Sequence, residues 1–234
     1  FRIRSSARIA GDRLNSTALT YLSYDHRVVS EMAVVPELVL PLEDNLEFVA
    51  SAGLRFDDSD RDGGQLTPVT GLSLTHQGRD RSWERAFLQF SGASQVPGYT
   101  ALASNPSTGL FRGDSTLART VSLNTEVGAE VSRGPVNARA AFFVRTDRDL
   151  VDWIYDSSVQ PFAPRSAANV DLVTVGLEYL LRANLDPVNI VLGYALLNKE
   201  NDYGDRQVDA SFYALNFPKH RITFAMVYAI TDWI

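Results

Sequence analysis

Residues 56–64, FDDSDRDGG, hold the side chains of this sequence best suited to bind a metal ion. Asp58, Asp60 and Asp62, followed by a glycine, match the first half of a calcium-binding loop, D-x-D-x-D-G, whose carboxylates supply hard oxygen ligands. The twelfth position of such a loop should be a bidentate Glu, and here it is Val69. We therefore interpret the stretch as a solvated loop tip. Divalent-ion binding by Asp58, Asp60 and Asp62, alone or together with lipopolysaccharide, is the alternative.

Outside this stretch, nothing in the sequence predicts catalysis or a cofactor. The chain has no cysteine, which excludes disulfides, thiolate metal sites and a cysteine nucleophile. Its three histidines, His26, His76 and His220, are far apart and lack metal-ligand spacing. G-x-S-x-G, HExxH and phosphate-loop motifs are absent. A net charge of −6 over 234 residues argues against a nucleic-acid partner.

The elements that must position these residues follow a period of two. In 120–132 the odd positions are Val121, Leu123, Thr125, Val127, Ala129 and Val131, and the even positions are Ser122, Asn124, Glu126, Gly128, Glu130 and Ser132. Because side chains of a strand alternate between its two faces, this pattern predicts a strand with one apolar and one polar face. Residues 44–57 and 137–148 alternate in the same way. The predicted strands are roughly 10–14 residues long, against about 5–6 for an average globular strand.

Reading the breaks between these patterns predicts about eleven strands. They lie near 2–10, 15–27, 31–42, 45–57, 66–77, 81–93, 119–132, 137–150, 168–182, 186–199 and 213–231. The connections after 42, 77, 132 and 182 are short and turn-like, whereas those after 57, 93, 150 and 199 are longer. Short turns at one end of a sheet and long loops at the other are typical of an outer-membrane β-barrel, whose strands need about 9–11 residues to cross the bilayer.

The strand count also predicts that the sheet is open. An odd number of strands cannot close in purely antiparallel order, and the edge strand containing ITFAMVYAI (222–230) lacks the charges, prolines and bulges that protect a free edge. In lipid, its unpaired backbone groups would have no partners. We therefore expect residues 1–234 to form one domain, a partial transmembrane β-barrel belonging to a longer protein.

Several segments resemble one family. LQFSGASQVPGYTAL (88–102), GLFRGDSTLART (109–120), LNTEVGAEV (123–131) and AAFFVRTDRDLVDWIYD (140–156) occur in the order seen in TonB-dependent outer-membrane receptors, and NFPKHRITFAMVYAITDW (216–233) is similar to the later strands of that family. Asp114-Ser115 departs from the usual Gly-Asn, and 118–120 replaces the usual Pro-Glu. The likeness covers most of residues 45–233.

The resemblance implies a fold, a location and partners. The fold is all-β, an open antiparallel section of about eleven strands, roughly half of a 22-stranded barrel. The implied function is energised uptake of a scarce nutrient, such as a siderophore, cobalamin, a metal chelate or a glycan, across the bacterial outer membrane. The implied partners are membrane lipid and lipopolysaccharide, a plug domain and further strands, the TonB complex and a small-molecule cargo. A smaller passive pore, a soluble all-β binding module and a barrel hydrolase are the alternatives.

Five residues are the candidate cargo-binding side chains. Arg145 and Asp147 lie on the polar face of the strand near 137–150, towards its predicted external end, and Tyr99, Trp153 and Tyr155 lie just past predicted strand ends. The charged pair could instead form part of a salt-linked wall around water or a plug. The aromatic residues could instead be loop anchors or part of an interfacial girdle.

Overall fold

The structure is a computed structural model that describes residues 1–17, 19, 25–105, 109–158 and 164–230. In chain order its elements are β1 (Arg2–Arg13), β2 (His26–Glu43), β3 (Leu46–Ser59), β4 (Gln65–Gln77), β5 (Trp83–Gln95), α1 (Tyr99–Ala103), β6 (Phe111–Arg112), β7 (Thr120–Arg133), β8 (Val136–Tyr155), β9 (Arg165–Leu185), β10 (Val188–Asp202), β11 (Ala210–Ser211) and β12 (His220–Tyr228). No helix among the described residues is long and apolar enough to cross a membrane.

The long strands form one antiparallel sheet in the order β1-β2-β3-β4-β5-β7-β8-β9-β10-β12. The two-residue strands β6 and β11 lie off this path, β6 parallel to β9 and β11 antiparallel to β8. Within the described residues, β1 and β12 are the two ends of the sheet and do not pair with each other. The expected open all-β section is therefore confirmed, and the described strands do not form a small closed cylinder.

The connections follow the predicted rhythm. Residues 44–45, 78–82, 134–135 and 186–187 make tight turns at one end of the sheet, and 14–25, 60–64, 96–119, 156–164 and 203–219 connect strands at the other end. We call these the turn end and the loop end. The turn-end connections can be this short because antiparallel neighbours need no crossover.

One predicted strand is wrong, and several predicted boundaries shift. Of the strand expected near 15–27, residues 15–17 and 25 lie outside any strand, 26–27 begin β2, and 18 and 20–24 lie outside the described residues. The described part of the chain therefore has ten long strands rather than eleven. The last strand begins at His220 rather than near 213, because 210–219 folds back along β8.

The two faces of the sheet differ as the alternation predicts. One row of directly paired residues crosses five strands and is apolar throughout: Leu72, Leu88, Val127, Phe142 and Leu177. On the opposite face the strands carry ion pairs, including Arg85 with Glu130 at 2.8 Å and Arg139 with Glu126. The apolar face suits lipid and the polar face suits a watery lumen.

A bulge in β8 changes which residues share its faces. Asp149 has a positive φ of 54°, and the pairing with β9 shifts by one residue between Asp147 and Leu150. Above the bulge, Asp152 therefore lies on the same face as Asp147, and Trp153 lies on the other. Simple alternation along 137–150 places Asp149 on the polar face with Asp147, and the bulge interrupts this alternation.

Candidate functional site

The β8–β9 hairpin extends beyond its neighbouring strands at the loop end and is held there by two long connections. On one face, Trp153 and Val151 pack against a buried cluster of Ala101, Leu102, Leu117 and Ala167. Ala101, Leu102 and Leu117 belong to the connection 96–119. The same connection contains β6, which pairs with the edge of β9. The connection 96–119 therefore covers the Trp153 face of the hairpin.

The connection 203–219 lies along the edge of β8, and Asp152 holds it there. The Asp152 side chain is fully buried. Its Oδ1 accepts hydrogen bonds from the backbone N–H groups of Phe212 at 3.0 Å and Tyr213 at 3.1 Å, and its Oδ2 accepts one from Ala214 at 3.0 Å. One carboxylate thus satisfies three successive amides of the loop, as a backbone partner would.

Aromatic rings join the two connections. The Phe111 ring contacts the Trp153 ring edge to face at 5.2 Å, and it lies 5.7 Å from the Phe212 ring. The Arg165 guanidinium lies 4.4 Å from the centre of the Phe212 ring. Phe111 belongs to one connection and Phe212 to the other, so the rings fix both loops around the tip of the hairpin.

A cavity of about 400 Å³ opens beside these loops. We call it the loop cavity. It is lined by Gln95, Val96, Pro97, Gly98, Thr100, Ala101, Thr120, Leu150, Val151, Trp153 and Tyr213. Its size lies within the range of small-molecule sites, and its wall combines apolar and aromatic side chains with a few polar ones.

A second cavity of about 430 Å³ lies on the polar face of the sheet. We call it the wall cavity. It is lined by Ser91, Gly92, Ala93, Ser94, Gln95, Ser122, Asn124, Glu126, Phe143, Arg145 and Glu178. Gln95, the last residue of β5, lines both cavities. The two cavities therefore lie next to each other at Gln95.

The structure brings Arg145 and Asp147 together at the wall cavity. The Arg145 Nε donates to Asp147 Oδ1 at 2.8 Å, and the Ser122 hydroxyl donates to the same oxygen at 2.5 Å. The Asp147 side chain is only 3% exposed, whereas that of Arg145 is 47% exposed. Asp147 therefore orients the arginine, and Arg145 is the member of the pair that a cargo could touch.

Tyr99 is engaged as a loop anchor. Its hydroxyl donates to the carboxylate of Asp12 and lies 3.1 Å from the Asp12 carbonyl oxygen. The Arg27 guanidinium lies 5.2 Å from the centre of its ring. These contacts tie α1 to β1 and β2. Burial of the hydroxyl, and then its hydrogen bond to Asp12, raise the pKa of Tyr99 to about 12 from the usual 10.0.

This anchor should persist in alkaline solution. The neutral hydroxyl is the donor, and folding raises the pKa of Tyr99. The contribution of this hydrogen bond to folding stability is therefore complete below pH 10.0 and is lost as the pH rises through about 12. We expect a tyrosinate absorbance titration to show one tyrosine ionising near pH 12 that is missing in Tyr99→Phe. In Asp12→Asn the same tyrosine should titrate closer to pH 10. A wild-type Tyr99 that ionises at its ordinary pKa would contradict this anchor.

Trp153 and Tyr155 lie inside β8 rather than past its end, because the strand runs to 155 instead of 150. Trp153 lines the loop cavity. The backbone of Tyr155 pairs with Ala210, and its carbonyl accepts a hydrogen bond from the Asp209 N–H at 2.9 Å. Trp153 is therefore placed to contact a ligand. The cargo-binding roles of all five candidates stay predictions.

The Asp58–Asp62 stretch forms the β3–β4 turn. Asp58 is still within β3, and Asp62 is ion-paired with Arg61 at 3.0 Å. The arginine competes with a cation for the same carboxylate oxygens. Among the described residues, no three His, Asp or Glu side chains come close enough to hold a metal ion.

Two arginines attach this turn to the connection 96–119. Arg61 donates to the carbonyl of Leu117 at 2.6 Å. Arg119 donates to the carbonyl of Gly63 at 2.6 Å and to the Ser59 hydroxyl at 3.1 Å. The turn therefore supports the loops beside the cavities, rather than standing free as the sequence suggested.

Sequence reasoning missed Gln95, Tyr213, Asp152 and Arg119. Gln95 lies in the QVPGY segment that carries the family resemblance, which was a usable signal. Tyr213 was assigned to a strand. The roles of Asp152 and Arg119 depend on partners about 60 residues away in sequence, which alternation does not reveal.

An open antiparallel sheet with one apolar face, one polar face and long loops at a single end defines the wall of an outer-membrane β-barrel. A family model described as "TonB dependent receptor-like, beta-barrel" matches residues 8–234. The chain belongs to this family of TonB-dependent receptors, whose members are outer-membrane proteins. Among curated proteins, none matches the sequence.

Solved structures share the fold. The siderophore receptor PirA from Acinetobacter baumannii aligns with 98% of this chain at a TM-score of 0.57 and 15% identity. PirA from Pseudomonas aeruginosa aligns with 84% of this chain at a TM-score of 0.55 and 19% identity. The copper transporter OprC aligns with 90% of this chain at a TM-score of 0.53 and 15% identity. The chain spans 38%, 36% and 35% of the lengths of these proteins, respectively. At such identities the likeness is one of fold alone.

Proposed function

We propose that the protein is a receptor for energised uptake of a scarce small molecule across the outer membrane. The observation that carries the proposal is the family match over residues 8–234, on a sheet whose loop end forms two adjoining cavities. Cargo is first held by the loops at the loop cavity and then meets the polar wall, where Arg145 projects. The chain supplies binding surfaces rather than a catalytic centre.

The proposal includes partners beyond this chain. The polar face, with ion pairs such as Arg85–Glu130, suits contact with water and with a plug domain inside the barrel. Coupling to TonB would energise the passage of the cargo past that plug. The names of the similar structures, a copper transporter and two siderophore receptors, support uptake of a metal or its chelate as one class of cargo. Cobalamin and glycans are the other classes.

The test compares uptake with and without energy. Cells that produce the whole protein are given radiolabelled cargo from each class, in the presence of functional TonB, in its absence, and with a protonophore. We expect surface binding in all three conditions and accumulation only in the first. Accumulation that persists without TonB and rises linearly with cargo concentration would instead identify a passive pore.

A further inference from the structure

The loop cavity has a neutral lining. Its described residues, given above, include no Asp, Glu, Lys, Arg or His. The wall cavity that adjoins it at Gln95 has one basic residue, Arg145, against two acidic ones, Glu126 and Glu178. Arg145 is already paired with Asp147. The described lining of the two cavities therefore carries no excess positive charge to attract an anionic chelate.

The polar groups in the loop cavity are uncharged and available. Gln95, Thr100 and Tyr213 line it, and no hydrogen bond joins their side chains to another described residue. An amide and two hydroxyls can each both donate and accept. They match a ligand whose own groups are hydroxyls, which likewise do both.

The aromatic groups supply the complementary apolar surface. Tyr213 is 54% exposed, and its backbone is fixed through the Asp152 carboxylate. Trp153 is held by its contact with Phe111. An aromatic ring held in place offers a large contact area at a small entropic cost. Both rings line the cavity, so a flat ligand ring can lie against one while its edge meets the polar groups.

We propose that the loop cavity binds a neutral carbohydrate unit. A sugar ring combines apolar C–H faces with a rim of hydroxyls, which is the combination that this lining matches. The proposal rests on the uptake function above and narrows its cargo to glycans or glycosylated molecules. Tyr213 and Gln95 are the residues that determine specificity, because one supplies the platform and the other the bidentate amide.

The experiment uses the whole protein in detergent micelles and an array of neutral glycans, with a ferric tris-catecholate complex as the anionic competitor. Glycans that bind are then titrated by calorimetry. We expect Tyr213→Ala to weaken binding by about tenfold or more and Gln95→Ala by about threefold or more, as for a central contact residue and a neutral hydrogen bond. Tyr213→Phe, which keeps the ring, should lose less than Tyr213→Ala.

Leu215→Ala is the matched control. Leu215 is exposed on the same connection and does not line the cavity, so its loss should change affinity by less than about twofold. Tighter binding of the ferric complex than of any glycan, or glycan binding that both cavity variants leave unchanged, would overturn the carbohydrate site while energised uptake still stood. Glycan binding that responds to these variants, but accumulation that ignores TonB, would instead overturn the uptake function and leave the site.

Discussion

Replacing Asp152 with alanine should release the connection 203–219 from the sheet. The buried carboxylate accepts three loop N–H groups, from Phe212, Tyr213 and Ala214, at 3.0, 3.1 and 3.0 Å. A buried N–H group left without an acceptor costs about 1–3 kcal/mol. Because the released amides can then bond to water, we expect the docking free energy of the loop to fall by about 2–4 kcal/mol. Since Tyr213 lines the loop cavity, the affinity for cargo should fall when this connection is released.

Amide hydrogen exchange measures this release directly. Protection of the 212–214 amides should fall by about thirtyfold or more in Asp152→Ala, since about 1.4 kcal/mol is a factor of ten. Asp152→Asn keeps one carbonyl acceptor, so the protection of these amides should fall less than in Asp152→Ala. Asp205→Ala removes an exposed carboxylate from the same connection and should leave the protection unchanged. Equal protection in Asp152→Ala and the wild type would mean that other contacts hold the loop.

The sheet could be predicted from the sequence wherever one face is apolar along a whole strand. In β7, the alternation from Val121 to Val131 sets both the strand and its faces, because a shift of one residue would place Glu126 and Glu130 in lipid. The alternation of turns and longer connections, with Gly134 at the β7–β8 turn, gave the topology. These signals are local, and each can be read within about a dozen residues.

The exceptions have non-local causes. Residues 15–17, Asn-Ser-Thr, lie outside any strand, although the sequence reading extends a strand across 15–27. The bulge at Asp149 depends on contacts from outside β8: its N–H donates to the Asp171 carboxylate at 2.9 Å, and its carbonyl accepts from Asn169 at 2.7 Å. A pattern of period two carries no information about such partners, so the predicted strand ends five residues before β8 does.

The candidate site was predicted in part for the same reason. Arg145 and Asp147 are two residues apart on one strand, so alternation alone placed them on one face, and the structure pairs them. The loop cavity is different, since it needs Gln95, Trp153 and Tyr213 from three separate parts of the chain. Their meeting depends on how two long connections fold over the β8–β9 hairpin, which sequence patterning does not determine.

Leu88→Arg should destabilise the barrel strongly, whereas Gln89→Arg should not. Leu88 lies near the middle of β5 on the apolar face, is 44% exposed, and shares its row with Val127 and Phe142. Placing a guanidinium in the hydrocarbon there should cost about 2–4 kcal/mol of unfolding free energy. Gln89, the next residue, points to the opposite face, where its partner across the strand is Glu126.

This adjacent pair of variants isolates the effect of the face, because both introduce an arginine into the same strand at almost the same depth in the membrane. Urea unfolding of the whole protein from lipid vesicles, followed by tryptophan fluorescence, gives both free energies. Gln89→Arg should stay within about 0.5 kcal/mol of the wild type, since a surface charge opposite a carboxylate costs little. If both variants lost the same amount, or if Leu88→Arg lost nothing, the apolar face would not be in contact with lipid. A large loss confined to Leu88→Arg would mean that β5 crosses the bilayer with Gln89 turned towards the lumen.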